Sequence, residues 1–268
     1  MATKPMASPR QQEDDEEDID PMKILLPDYE LELHNTTTPN LQQDQRHYIP
    51  SINSTIMVRQ LPSQGLSFQL WPAATTLFTL LDRHRSDPTT GPLSPIFSPD
   101  CTPNILELGS GTGLVGIAAA VTLAANVTVT DLPHVISNLQ FNVDANADTM
   151  ALFGGTVNVA ALRWGEEGDG DFECIGQDFD VILASDVVYH DHLYEPLLHT
   201  LRLVMGAGAG EKKKKKKKVF VMTHLRRWKK DSAFFKRAKK WFDVDVIYVD
   251  SPCHGSRIGV VVYRFSQK

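Results

Sequence analysis

The sequence has little that would mark a secreted, membrane-bound or metal-dependent protein. Only three cysteines occur in 268 residues, Cys101, Cys174 and Cys253. They are odd in number and widely scattered, so neither a disulfide framework nor a paired metal-ligand spacing can be built from them. No apolar run approaches the roughly 20 residues needed to cross a bilayer. The first twenty residues carry Glu13, Asp14, Asp15, Glu16, Glu17, Asp18 and Asp20, the wrong chemistry for a secretory signal or an acid-poor transit peptide. The expectation is an intracellular chain, cytoplasmic with a nuclear location open, and no membrane partner.

Net excess charge of one sign is also modest. The formal net charge is −6, and the acidic block Glu13–Asp20 and the lysine run Lys212–Lys218 cancel. The remainder is mildly acidic, which argues against a broad nucleic-acid footprint. Hydrophobic residues make up 42% and charged residues 22%, an ordinary globular composition. The expected organisation is an acidic disordered tail over 1–24, too poor in apolar residues to offset its ordering entropy, and one domain over 25–268, monomeric. A floppy poly-lysine loop is expected over 206–218, where like charges repel and stay solvated.

Brief alternation at Tyr29, Leu31 and Leu33, then after a polar loop at Ile56 and Val58, predicts an N-terminal hairpin within 28–62. Helical spacing follows from Trp71 to His84, then a Pro-rich irregular loop over 86–103. From Asn104 short apolar strands alternate with helices, the pattern of a parallel sheet covered on both faces. The last two strands, Val244–Val249 and Ile258–Phe265, follow each other without a helix and should pair antiparallel. Between them and the strand Val219–Thr223, Lys229–Phe242 reads as a basic helix. Its run of Arg226, Arg227, Lys229, Lys230, Lys236, Arg237, Lys239 and Lys240 suits a solvated face or the steering of an acidic protein partner. The fold class is α/β, a Rossmann-like seven-stranded sheet.

What is present in quantity is a ligand-binding constellation. Glu107-Leu108-Gly109-Ser110-Gly111-Thr112-Gly113 follows a strand and opens a helix, and its glycines allow positive φ and close approach to the backbone. Asp131 ends the next strand on the same rim, where a carboxylate can accept hydrogen bonds from both ribose hydroxyls. No Lys-Ser or Lys-Thr follows the glycines, which excludes a P-loop. An acidic residue before G-x-G-x-G is unfavourable beside a pyrophosphate and favourable beside the cationic end of S-adenosylmethionine. That methyl donor is therefore the expected cofactor. His190-Asp191-His192 has no further ligands and reads as a loop, so no metal is expected.

The runs LWPAATTLFTLLD, ILELGSGTGLVGIAAA, TDLP, LRWG and ILASDVVYHDHLYEPLLHTL together resemble the seven-strand protein-lysine methyltransferases of methyltransferase family sixteen, the methyltransferase-like twenty-one group. The resemblance spans roughly Tyr29 to Phe265. It implies Trp71 near the cofactor entrance, a cofactor loop of Glu107, Gly109, Gly111 and Gly113, Asp131 on the ribose, Trp164 against the adenine and Ser185 among the cofactor contacts. Pro72 departs from the acidic residue usual after the first tryptophan. Asp186 and Tyr189, the Asp-x-x-Tyr after the fourth strand, would stand where the methyl is transferred, Asp186 orienting the acceptor amine and Tyr189 shaping the channel. The implied substrate is a protein lysine. Methylation of a small molecule or another protein side chain, and a non-catalytic nucleotide-binding adaptor, remain open alternatives.

Overall fold

The structure, a computed structural model, describes residues 42–165, 175–176, 178–206, 218–227, 229–250 and 259–268. The expected acidic tail, the alternating stretch at Tyr29–Leu33 and nearly all of the poly-lysine loop lie outside the described residues. Among the described residues no helix is long and apolar enough to cross a membrane.

A seven-stranded sheet forms the centre. Its strands are β3 (Asn104–Leu108), β4 (Asn126–Asp131), β5 (Thr156–Ala161), β6 (Val181–Ser185), β7 (Val219–Leu225), β8 (Phe242–Val249) and β9 (Val260–Gln267). They stand in the order β5-β4-β3-β6-β7-β9-β8. The five strands from β5 to β7 run parallel, and β9 pairs antiparallel with both β7 and β8. The closing strand is therefore inserted between its two neighbours, in the antiparallel sense expected of two strands joined without a helix.

Alternate residues of each strand feed two cores, one per face. Ile105, Val181 and Leu183 face α1 (Pro72–Ser86) and α2 (Leu114–Leu123), whereas Leu106, Ile182 and Ala184 face α5 (Tyr194–Met205) and α6 (Ser232–Ala238). Nine of the ten residues of α2 are buried, as a helix wedged between a sheet and α1 requires. Pro72 opens α1 at its first position, where a missing N–H costs nothing. Two further helices, α3 (Ile136–Asp144) and α4 (Ala147–Phe153), follow β4. The Pro-rich loop after α1 forms only turns, yet its Leu93 and Phe97 are buried in the core.

The hairpin expected within 28–62 is present, and the basic helix differs from its expected length. The hairpin pairs β1 (Gln43–Ile49) with β2 (Ser54–Gln60), so its first strand is drawn from the segment read as polar loop. Most of β1 is solvent-exposed and only Ile49 at its end is buried, so the strand shows no apolar alternation. The basic helix over 229–242 is also shorter. A 3-10 turn spans Lys229–Asp231, α6 has seven residues, and β8 already begins at Phe242.

Candidate functional site

The chain runs from β3 outward to β4 and β5, then returns to β6 and β7 on the other side of β3. The carboxyl ends of β3 and β6 thus flank the point where strand order reverses, the usual crevice for ligands in open α/β sheets. The glycine loop leaves β3 there and the Asp186 loop leaves β6 beside it.

Gly109, Gly111 and Gly113 all have positive φ, at 64°, 55° and 84°. A Cβ on Gly109 would stand 3.0 Å from Val187 Cγ1 and 3.1 Å from Trp164 Cζ2, and one on Gly111 would stand 3.0 Å from the Ser67 carbonyl. The loop is therefore enclosed by Trp164, the loop bearing Val187 and the Leu66–Phe68 turn. The Trp-Gly turn is tied down by Gly165, whose N–H donates to Thr200 Oγ1 on α5 at 3.0 Å. Trp71 is tied down likewise, its indole N–H donating to the Leu66 carbonyl at 3.0 Å.

Asp131 faces the loop. Its Oδ2 accepts from the Gly111 N–H at 2.8 Å and its Oδ1 from the Leu132 N–H at 2.7 Å. Each oxygen keeps a lone pair for a ligand hydroxyl. Burial raises its pKa, partly offset by those two N–H groups and by His134.

Glu107 occupies a different place from the one its sequence position suggested. It is fully buried, and its Oε2 accepts from the Gly116 N–H on α2 at 2.9 Å. Burial, only partly offset by Ser110 and Gly116, pushes the carboxyl up to about 8. At neutral pH it is mainly an uncharged acid, so its negative charge cannot by itself select a cationic donor in the ligand-free chain. Its Oε1 has no hydrogen-bond partner, and in the uncharged acid that oxygen can carry the proton. Three left-handed glycines and the spare capacity of Asp131 suit a ribose-bearing ligand.

Beside the glycine loop, Ser185 ends β6 opposite Thr223, and Asp186 follows with φ of 60°. Both Asp186 oxygens are engaged. Arg227 binds them in a two-pronged ion pair, Nη1 donating to Oδ1 at 2.9 Å and Nη2 to Oδ2, while the Leu225 N–H donates to Oδ1 at 3.2 Å. Burial alone would raise the Asp186 carboxyl, but His224 and Arg227 together hold it below the ordinary carboxylate range. It is an anion at neutral pH, with two donors on Oδ1 and one on Oδ2. Tyr189 is partly exposed, and its hydroxyl is raised by burial and then by the charges of Asp131 and Asp186. It lies within the field of both Asp131 and Asp186.

Several contributors escaped the sequence reading. Arg227, grouped with a solvated basic face, has a side chain only 2% exposed and its guanidinium stands 5.0 Å from the centre of the Trp71 ring. Gly116 lies where a Cβ would come within 2.7 Å of Glu107 Oε2. A glycine inside an apolar helical run costs about 1 kcal/mol relative to alanine, a signal of close packing that was there to be used. Asn142 donates to the Thr112 carbonyl at 2.9 Å, bracing the glycine loop.

A family model described as "Lysine methyltransferase" matches residues 51–241. The protein-lysine methyltransferase METTL21E of Mus musculus is 30% identical over 214 residues, covering 75% of this chain and 78% of the relative. The protein-lysine N-methyltransferase rrg1 of Schizosaccharomyces pombe is 43% identical over 101 residues, 37% of this chain and 33% of the relative. EEF1A lysine methyltransferase 3 of Xenopus tropicalis is 41% identical over 102 residues, 38% of this chain and 42% of the relative. The match thus spans less than half the length of several curated relatives.

Proposed function

Because this chain belongs to the lysine methyltransferase family, we propose that it transfers a methyl group from S-adenosylmethionine to the side-chain nitrogen of a lysine in a protein acceptor. The observation that carries the reading is the Gly111 N–H seated on Asp131 at 2.8 Å, in a glycine loop adjoining the Asp186–Tyr189 loop at the reversal of strand order. When bound, the donor supplies a methyl carbon made electrophilic by a positive sulfur.

The chain's own residues do the rest. Gly109, Gly111 and Gly113 let the donor approach the backbone, Asp131 takes the ribose hydroxyls, and Trp164 flanks the adenine. Trp71, Glu107 and Ser185 complete the donor side. An acceptor lysine has an ordinary pKa of about 10.4 and must shed its proton before it can attack. A partly dry channel lined by Tyr189 disfavours the ammonium, and its proton leaves to water. Tyr189 then meets the amine, its ring also suited to the cation that forms on transfer. Asp186 contributes fixed negative potential and loop geometry. Orientation carries the rate, with no covalent step on the protein.

Incubation of the purified chain with methyl-labelled donor and a whole-cell protein extract tests this. The expected result is labelled protein that yields methyl-lysine on acid hydrolysis. Label confined to small metabolites would reject a protein acceptor, and donor binding without any transfer would leave an adaptor.

A further inference from the structure

Beneath the acceptor loop lies a chain of buried charged side chains that the transfer chemistry does not itself require. Arg227 and Asp186 form the two-pronged ion pair, each side chain only 2% exposed. His224, with a side chain 1% exposed, brings Nδ1 within 3.7 Å of Asp186 Oδ1 and Nε2 within 3.2 Å of Asp231 Oδ2. The first approach is electrostatic rather than a hydrogen bond. Asp231 in turn accepts from the Tyr194 hydroxyl at 3.2 Å. Two carboxylates and two cations balance when His224 is protonated. Burial alone would lower its pKa, but Asp186 and Asp231 outweigh burial and raise it.

Each member sits on a different piece of the fold. Asp186 follows β6, His224 lies within β7, Arg227 follows β7, Asp231 ends the 3-10 turn and Tyr194 opens α5. The chain therefore grips the Asp186–Tyr189 loop from several sides, and Arg227 also reaches the Trp71 ring at the entrance. Buried ion pairs are poor devices for stability, because their desolvation offsets most of the attraction. Their strength is geometric, since a guanidinium fork accepts a carboxylate in one plane and orientation. Here that orientation coincides with a left-handed aspartate, a conformation that persists only where its surroundings over-determine it.

We propose, resting on the methyltransferase reading above, that Arg227 and His224 are positioning residues for transfer: acting through Asp186, they fix the turn that sets Tyr189 at the acceptor mouth. Neither touches donor or acceptor. Their loss should slow transfer while leaving the glycine loop, Asp131 and therefore donor affinity unchanged.

The test compares Arg227→Lys, Arg227→Met and His224→Gln with the wild-type chain. Calorimetry with S-adenosylhomocysteine reads the donor side, and the initial rate of lysine labelling in a protein extract reads transfer. Arg227→Lys keeps the charge and loses the fork. It should melt near wild type, bind S-adenosylhomocysteine within about twofold and transfer on the order of tenfold to a hundredfold more slowly, the scale of a small misplacement of reacting groups. Arg227→Met should be slower still, so that lysine partly rescues it, and His224→Gln should also lose rate at unchanged affinity. If Arg227→Met fails to fold, the other two variants decide. Wild-type transfer by folded Arg227→Lys and His224→Gln overturns the proposal, as does a parallel loss of affinity and rate, the mark of a merely structural role. A wild-type chain that binds S-adenosylhomocysteine and labels no lysine defeats the methyltransferase reading, and the proposal with it.

Discussion

At the scale of single residues, charge state and free space decide the outcome. The Glu107 carboxyl has an ordinary value of 4.5 and is pushed by burial to about 8 in the folded chain. Between those values the unfolded chain binds fewer protons than the folded one, so this group makes stability fall as pH rises. We predict that Glu107→Gln, which resembles the neutral acid, matches wild-type stability at about pH 5 and flattens the decline toward about pH 9, read by urea denaturation. His224 has the same sign of shift and the opposite charge type. Its raised pKa contributes stability that is fully present below the unfolded value of 6.5 and lost as pH rises through the folded value. The stability gap between wild type and His224→Gln should accordingly shrink on the alkaline side. Gly116→Ala sets two effects against each other. Helix propensity favours alanine by about 1 kcal/mol, but the new Cβ would stand 2.3 Å from Val129 Cγ1. Overpacking of this kind costs about 1–3 kcal/mol, so the variant should melt below wild type.

At the scale of elements, α3 and the turn that follows it do more than cover the sheet. Asn146 accepts from the Met57 N–H at 2.9 Å and donates to the Met57 carbonyl at 2.7 Å, while Asn142 accepts from the Arg59 N–H at 2.8 Å and donates to the Arg59 carbonyl at 3.1 Å. These amides stand in for a third strand along β2, and Asn142 extends the link to the glycine loop. Asn146→Ala should strand the Met57 groups, at about 1–3 kcal/mol for each buried group left unpaired. Hydrogen exchange should show the Met57 amide losing protection while the Arg59 amide, held by Asn142, keeps it, and unchanged protection at Met57 would contradict the role given to Asn146. This attachment was not legible in the sequence. The segment from His134 reads as one amphipathic helix with Val135, Leu139 and Val143 toward the core, and nothing local names the partners of its asparagines. Asn138 and Asn142 lie on α3 in the same stripe, at i+3 and i+7 from Val135, and are 3% and 0% exposed, because the hairpin lies against that stripe and supplies their partners.

At the scale of the whole molecule, donor binding should couple to global stability. S-adenosylhomocysteine at 100 times its dissociation constant should raise the unfolding free energy by about 2.7 kcal/mol, seen as a higher melting temperature. No shift at any concentration would remove the donor site from the fold. The sequence alone determined the parallel sheet, the antiparallel insertion at its end, the glycine loop and the rim position of Asp131. Periodicity, glycine placement and strand-to-helix order are properties of neighbouring residues, so they survive without a fold. Only the tertiary structure decided that Glu107 is a buried acid, that Arg227 leaves the basic surface to bind Asp186, and that His224 joins two carboxylates. Asp186 and Arg227 are 41 positions apart and meet because β6 and β7 lie side by side. A side chain's partner and its proton are set by what other strands bring to it and by how much water they exclude.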